Sequence, residues 1–306
     1  LLDQKRIGYA YLSRTTFGAL LWNFYCFLCA NGFRWDQFFK NKGDSVVIRY
    51  QEWMNRDGRA PTTINDRLRL VVEFYEWAFK LQKIKVLPFD YEEVTCLSGG
   101  YNDPPQTTTV ERADVFLEES KEEPKFLGTQ ELKNLKASDC SEGNRIVFEL
   151  MHRVGLRSCE ARSFPLAYVV DPRRTPGIVE GQMIDVALDP RDMIIKRNKL
   201  RHVHIPFTLM ERMHRYARFE RGWRLESLPG GVKSPSSLVV TRGGRMFTKD
   251  GIAEICASHS DRIGVKFTAL MLRHSYAVHT LVRLAKMPEF AGDPLLYVRD
   301  RLGHRS

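Results

Sequence analysis

No stretch of about 18 consecutive apolar residues occurs in this chain, so no helix that spans a membrane is expected. The longest apolar run, Phe17 to Ala30, is broken by Asn23 and lacks both a basic leader and a small-residue cleavage site. It reads as a core helix, not a signal peptide. Cysteine is sparse: there are six, only Cys26 and Cys29 lie close together, and no second pair at zinc-ligand spacing accompanies them. Core thiols in a reducing, cytoplasmic setting follow. Carboxylates never gather into a D-x-D or H-x-E group, and no G-x-x-x-x-G-K-[ST] loop is present. No metal site and no nucleotide cofactor are therefore expected. Internal repeats and low-complexity tracts are also lacking.

Charge is plentiful but uneven. The chain has 306 residues and a formal net charge of +10. Residues 1–87 carry 14 Lys and Arg against 8 Asp and Glu, and residues 124–306 carry 31 against 19. Between them, residues 88–123 carry 2 against 10. Two basic blocks flanking an acidic strip suit a polyanionic partner.

The first block, 1–87, reads as three helices near 14–30, 44–57 and 61–79. In the third, Ile64, Leu68, Val71, Val72, Tyr75 and Phe79 share one face, while Arg67, Arg69 and Lys80 lie on the other. Pro88, Gly99-Gly100 and Pro104-Pro105 mark 88–123 as a linker region. The last block, 124–306, mixes element types. Helices are expected near 144–156, 158–166, 249–258, 268–285 and 294–302, and strands near 183–187, 192–196, 201–205 and 238–241. The fold class is thus mainly α with a small β-sheet: an all-helical domain followed by an α+β domain.

Four basic boxes stand out in the last block. They are Gly155-Leu156-Arg157 with Glu160 one turn on, Ile195-Lys196-Arg197-Asn198-Lys199-Leu200-Arg201, Leu272-Arg273-His274-Ser275-Tyr276-Ala277-Val278-His279, and Leu302-Gly303-His304-Arg305-Ser306. Arginine forks can neutralise the non-bridging oxygens of a phosphodiester. Lysine or histidine can give a proton to a departing alkoxide. These ingredients favour metal-free chemistry on a phosphodiester.

In this order the boxes resemble the tyrosine recombinases, or phage-type integrases, whose members carry G-L-R-x-x-E, a hairpin lysine, H-x-L-R-H-[ST]-[FY]-A-[TS]-H and L-G-H-x-[ST]. The likeness covers 124–306 by motif, and the helical first block resembles the family's core-binding domain more loosely. It implies a two-domain clamp on double-stranded DNA, with an α+β catalytic domain that works without metal or ATP. Arg157 and Arg273 would hold the scissile phosphate, Lys196 would protonate the leaving 5′ oxygen, His304 would assist, and Glu160 would support the first arginine. Arg67, Arg69, Arg197, Lys199 and Arg201 would contact DNA. A tyrosine past Ser306 would form a 3′-phosphotyrosine intermediate, and members assemble as tetramers on two sites. The opening Leu1-Leu2, with no methionine, also suggests a piece of a longer chain.

Each assignment has a plainer competitor. Lys199 or Arg197 could take the place given to Lys196, with the others on phosphate backbone. His274 and His279 read better as packing or capping residues, and His202 and His204 match no family ligand. Leu270 stands where the family usually has histidine, and Ile195, Arg197 and Val278 depart from its small residues. These departures leave two other readings open: a DNA-binding relative without catalysis, and relaxation of DNA in the manner of a type IB topoisomerase.

Overall fold

Ser45 and Pro61 start two of the helices that organise the first part of the chain. The structure, a computed structural model, describes residues 11–98, 106–120, 123–196 and 198–303. It divides into two compact units, Leu1–Glu122 and Glu123–Ser306.

In the first unit, α1 spans Tyr11–Ala30, α2 Val46–Arg56 and α3 Pro61–Lys80. The Ser45 hydroxyl accepts the Ile48 N–H and so caps α2, while Pro61 fits the first turn of α3, where its missing N–H is not needed. Val46, Val47, Tyr50 and Met54 of α2 pack on Ile64, Leu68, Val71 and Tyr75 of α3, joined by Phe24 and Leu28 of α1. The acidic stretch 88–123 is built onto this core. Its strands β1 (Tyr91–Ser98) and β2 (Gln106–Ala113) pair antiparallel, with Val94 opposite Val110 and Thr95 opposite Thr109. Such β-branched pairs favour a ladder. Phe89, Ala113 and Val115 enter the helical core. The buried Asn65 amide donates to the Leu117 carbonyl at 2.9 Å and accepts its N–H at 2.9 Å, which zips the strand exit to α3. Gly99-Gly100 and Pro104-Pro105 lie outside the described residues.

The second unit holds α4 (Thr129–Ala137), α5 (Glu142–Arg153), α6 (Ser158–Ser163), α7 (Phe207–Arg218), α8 (Glu220–Leu225), α9 (Lys249–Ile263), α10 (Ala269–Ala285) and α11 (Pro294–Leu302). Strands β3 (Met183–Leu188) and β4 (Arg201–Pro206) form its antiparallel pair. Among the described residues the protein is thus mainly helical, with one small sheet in each unit. Ile146, Val147, Leu150 and Met151 of α5 and Leu272 of α10 lie at the centre of the core. Among the described residues no helix is long and apolar enough to cross a membrane.

Two expected strands are replaced by other structure. At 192–196 the burial still alternates, with Met193 and Ile195 inside and Ile194 and Lys196 outside. The Ile194 N–H, however, goes to the Ser163 hydroxyl at 3.0 Å, and turns close at Asp189–Asp192 and Ile195–Asn198. Around residues 238–241 the described chain makes only single antiparallel bridges, Ser237 with Pro165 and Val240 with Met246, and guanidinium groups take several of the carbonyls. Arg221 takes the carbonyls of Pro235, Ser237 and Leu238, and Arg224 takes that of Val240 at 2.7 Å. Carbonyls satisfied by arginine leave little for a ladder to gain.

Candidate active site

The first arginine box begins on a backbone that only glycine suits. Gly155 has φ +79°, and a Cβ there would lie 2.5 Å from the Tyr276 ring. The missing side chain lets α10 come directly against the turn before α6. Arg157 then serves as the N-cap residue of α6, and Glu160 at the third helical position reaches back to accept its N–H at 2.8 Å.

Glu160 lies beneath the site, fully buried at 0% exposure. One oxygen accepts from Arg157 Nη1 at 3.1 Å, and the carboxylate as a whole receives a two-pronged contact from Arg201, at 2.9 and 2.6 Å. Arg273 Nη1 stands 4.0 Å away. Burial alone would raise the Glu160 carboxyl, but hydrogen bonds and charge from Arg201, followed by Arg157, hold it below the usual carboxylate range.

Arg273 comes from α10 and is nearly buried. Its Nη1 donates to the Gly155 carbonyl, and its Nη2 donates to the Leu302 carbonyl at 2.6 Å. Burial, then the neighbouring charge of Arg157, pulls this guanidinium down to about 9, with Glu160 opposing both. It stays charged at neutral pH. One side chain therefore ties together the first box, the second arginine's own helix and the end of α11.

Arg157, Lys196 and Arg273 line one open cleft of about 590 Å³, with Leu270, His274 and Gly303 also on its walls. Lys196 is exposed on the connection from β3 to β4. Lys199 is exposed too but is not part of the cleft wall. His304 and Arg197 lie outside the described residues. His274 Nδ1 lies 3.2 Å from the Lys125 carbonyl, and His279 Nε2 lies 2.8 Å from that of Leu127. Both hold the entry to α4. Among the described residues no three His, Cys, Asp or Glu side chains gather where they could hold a metal ion.

Arg201, expected to contact DNA, has a side chain only 9% exposed and committed to Glu160, so it supports the cleft from below. Parity on β4 carried the signal, because Arg201 shares its face with the buried Val203 and Ile205. In the first unit, Arg67 is half-buried and donates to Asn23 at 2.6 Å, while Arg69 is exposed and pairs with Asp66 and Glu119.

Leu270 is 60% exposed on the cleft wall, so the large cavity cost of a buried leucine does not apply to it. Leu270→Ala should change unfolding free energy by less than about 1 kcal/mol in a denaturant titration, as surface substitutions do. A loss of several kcal/mol would mean that this wall is packed in solution.

No protein-family model matches the chain. In sequence it is 24% identical over 245 residues to a protein named as a tyrosine recombinase from Caldanaerobacter subterraneus subsp. tengcongensis, a match covering 78% of this chain and 68% of that one. It is also 24% identical over 251 residues to transposase A from transposon Tn554 of Staphylococcus aureus, covering 80% and 63%. The alignments thus span about two thirds of the length of these relatives. In fold it is similar to XerH site-specific recombinase bound to palindromic difH substrate, with a TM-score of 0.60, 18% identity, and coverage of 96% of this chain and 74% of that one. A second similar fold is the Tn1549 transposon integrase in complex with a circular intermediate DNA, with a TM-score of 0.62, 13% identity, and coverage of 98% and 88%.

Proposed function

We propose, from the premise that this chain is a relative of the tyrosine recombinases in sequence and in fold, that it breaks and rejoins DNA strands at a specific site through a phosphotyrosine intermediate. One observation supports this most. Cations from three separate boxes, Arg157, Lys196 and Arg273, line a single cleft above a buried carboxylate.

In this reading Arg157 and Arg273 bind the non-bridging oxygens of the scissile phosphate and stabilise the extra charge that develops as a fifth oxygen approaches. A tyrosine nucleophile, which the resemblance implies, attacks the phosphorus. The bond to the 5′ oxygen breaks, Lys196 supplies the proton that oxygen takes up, and a 3′-phosphotyrosine remains. His304 assists the proton transfers. A 5′ hydroxyl from another strand then reverses the step, so the phosphoester bond is conserved and no external energy source is consumed. Basic groups of both units, including Lys199 and Arg69, contact the duplex backbone, and the protein works as a tetramer on cytoplasmic DNA.

The test uses the full reading frame on a nicked duplex bearing the target site, with protein–DNA adduct read on a denaturing gel. An adduct that depends on Arg157 supports the proposal. A chain that binds the site but forms no adduct belongs instead to a DNA-binding relative without catalysis. Relaxation of plasmids that lack the site would point to topoisomerase action.

Lys196 has a sharper test. Sulfur at the bridging 5′ position leaves as a thiolate and needs no proton. Lys196→Ala should therefore cleave normal DNA slowly, by about 10²–10⁴-fold, and recover on the sulfur substrate. Lys199→Ala should show little defect on either. The reverse pattern would move the proton donor to Lys199.

A further inference from the structure

On the face of the hairpin away from the core, Asp185 of β3 pairs in register with His204 of β4. Three more groups converge there. His202 Nδ1 lies 2.6 Å from Asp185, His204 Nε2 faces the same carboxylate at 3.6 Å, and His204 Nδ1 is 2.6 Å from the Tyr297 hydroxyl on α11. Arg301, one turn further along α11, lies over the Tyr297 ring at 5.3 Å and donates to the His202 carbonyl at 3.2 Å. None of these five side chains lines the cleft.

Asp185 on the Nε2 side favours the tautomer with its proton there, which leaves Nδ1 to accept from the tyrosine O–H. Burial, then the charge of Arg301, holds the His204 pKa below its ordinary value, so the ring is neutral near pH 7.

What this seam holds is the end of α11, a helix of nine residues, too short to be stable alone. Val298 and Leu302 pack on Tyr276 along one side, and the His204–Tyr297 bond fixes the helix on the other. Its last turn then presents two carbonyls. Arg301 offers one to Arg201 Nε at 3.2 Å, and Leu302 offers one to Arg273 Nη2 at 2.6 Å.

We infer that His204, backed by Asp185 and bonded to Tyr297, is a positioning residue that sets the end of α11 against Arg201 and Arg273 and thereby fixes the geometry of the cleft. The inference rests on the recombinase reading for its effect on cleavage, while the docking of α11 can be measured without that reading. Hydrophobic packing can hold a short helix in place, but a directional bond sets its register along the hairpin.

The experiment measures three quantities on the full reading frame: single-turnover adduct formation, affinity for the target duplex, and hydrogen exchange at the amides of α11. Tyr297→Phe removes one oxygen and His204→Phe removes the acceptor. Each should speed exchange in α11 and slow cleavage by about 10- to 100-fold, the scale of a small misplacement of catalytic groups. Affinity, spread over many phosphate contacts, should stay within about threefold. His204→Asn can put an oxygen near the Nδ1 position and should recover most of the rate. The two Phe changes combined should be no slower than either alone, because they remove the same bond.

Unchanged cleavage in both Phe variants, or a loss of rate that follows a loss of melting temperature and affinity, would overturn the positioning role while leaving the function intact. A wild-type chain that forms no adduct would overturn the recombinase reading and the positioning role with it, whatever the exchange data show.

Discussion

Arg157→Ala and Arg273→Ala should each lower covalent cleavage by roughly 10²–10³-fold, the cost of removing one donor from a developing oxyanion. Both guanidinium groups line the same cleft, and interactions that strengthen only as charge develops affect rate more than binding. Duplex affinity should therefore move by only a few-fold. The two variants should differ in stability. Arg157 is partly exposed at the start of a helix, whereas Arg273 holds the carbonyls of Gly155 and Leu302 and is nearly buried. Arg273→Ala leaves those acceptors without their donor, so its melting temperature should fall well below that of Arg157→Ala. Single-turnover adduct formation alongside thermal melting checks both parts. An alanine variant at either position that cleaves at near wild-type rate would remove that arginine from the phosphate clamp.

Glu160→Ala should destabilise the second unit by about 3–5 kcal/mol at pH 7, because it removes the partner of a buried cation and leaves the charge behind. The cation most affected is Arg201, 9% exposed and bonded through both terminal nitrogens to a carboxylate that is itself 0% exposed. The pH dependence follows from the depressed carboxyl. A group whose folded pKa lies below its unfolded one contributes its full stability above the unfolded value, about 4.3 for glutamate. That contribution is lost as pH falls through the folded value. Wild-type protein should thus lose stability steeply on acidification below about pH 4. Glu160→Gln, less stable at neutral pH, should show a flatter acid limb. Denaturant titrations across the acid range test this. A Gln variant that runs parallel to wild type at all pH values would mean that the Glu160 pKa is the same in the folded and unfolded protein.

The sequence carries most of the helix plan in its caps. Pro294 after Asp293 fixes the start of α11, and Gly303, with φ +64°, ends it, so the expected 294–302 and the observed Pro294–Leu302 coincide. The two lost strands have a common cause. Alternation of apolar residues reports which side chains point inward, and at 192–196 that much holds. It does not report which partner takes the backbone bonds, and here a serine hydroxyl, two arginines and isolated bridges share them.

Spacing brings the boxes into view, but not their connections. That Gly155 must be glycine to admit Tyr276, and that Arg273 joins Gly155 to Leu302, depend on contacts more than a hundred residues apart in the chain in one case and about thirty in the other. Arg201 was legible from its parity but was overshadowed by its neighbours, since a run of four cations reads as a surface for phosphate. The hairpin at 91–113 was hidden by its own glycines and prolines, which fall between its strands.

Glu160 faces three guanidinium groups, those of Arg157, Arg201 and Arg273. Counted together, these four side chains carry more positive than negative charge in a region largely shielded from water. Without an anion their mutual repulsion weighs against the folded state. A phosphate seated on Arg157 and Arg273, as the proposed function has it, would relieve it, and by mass action whatever binds only the folded form adds its binding free energy to stability. On the proposed function the second unit would be a partner in a coupled equilibrium in which nucleic acid completes its electrostatics, and its fold would be least secure when the protein is off DNA.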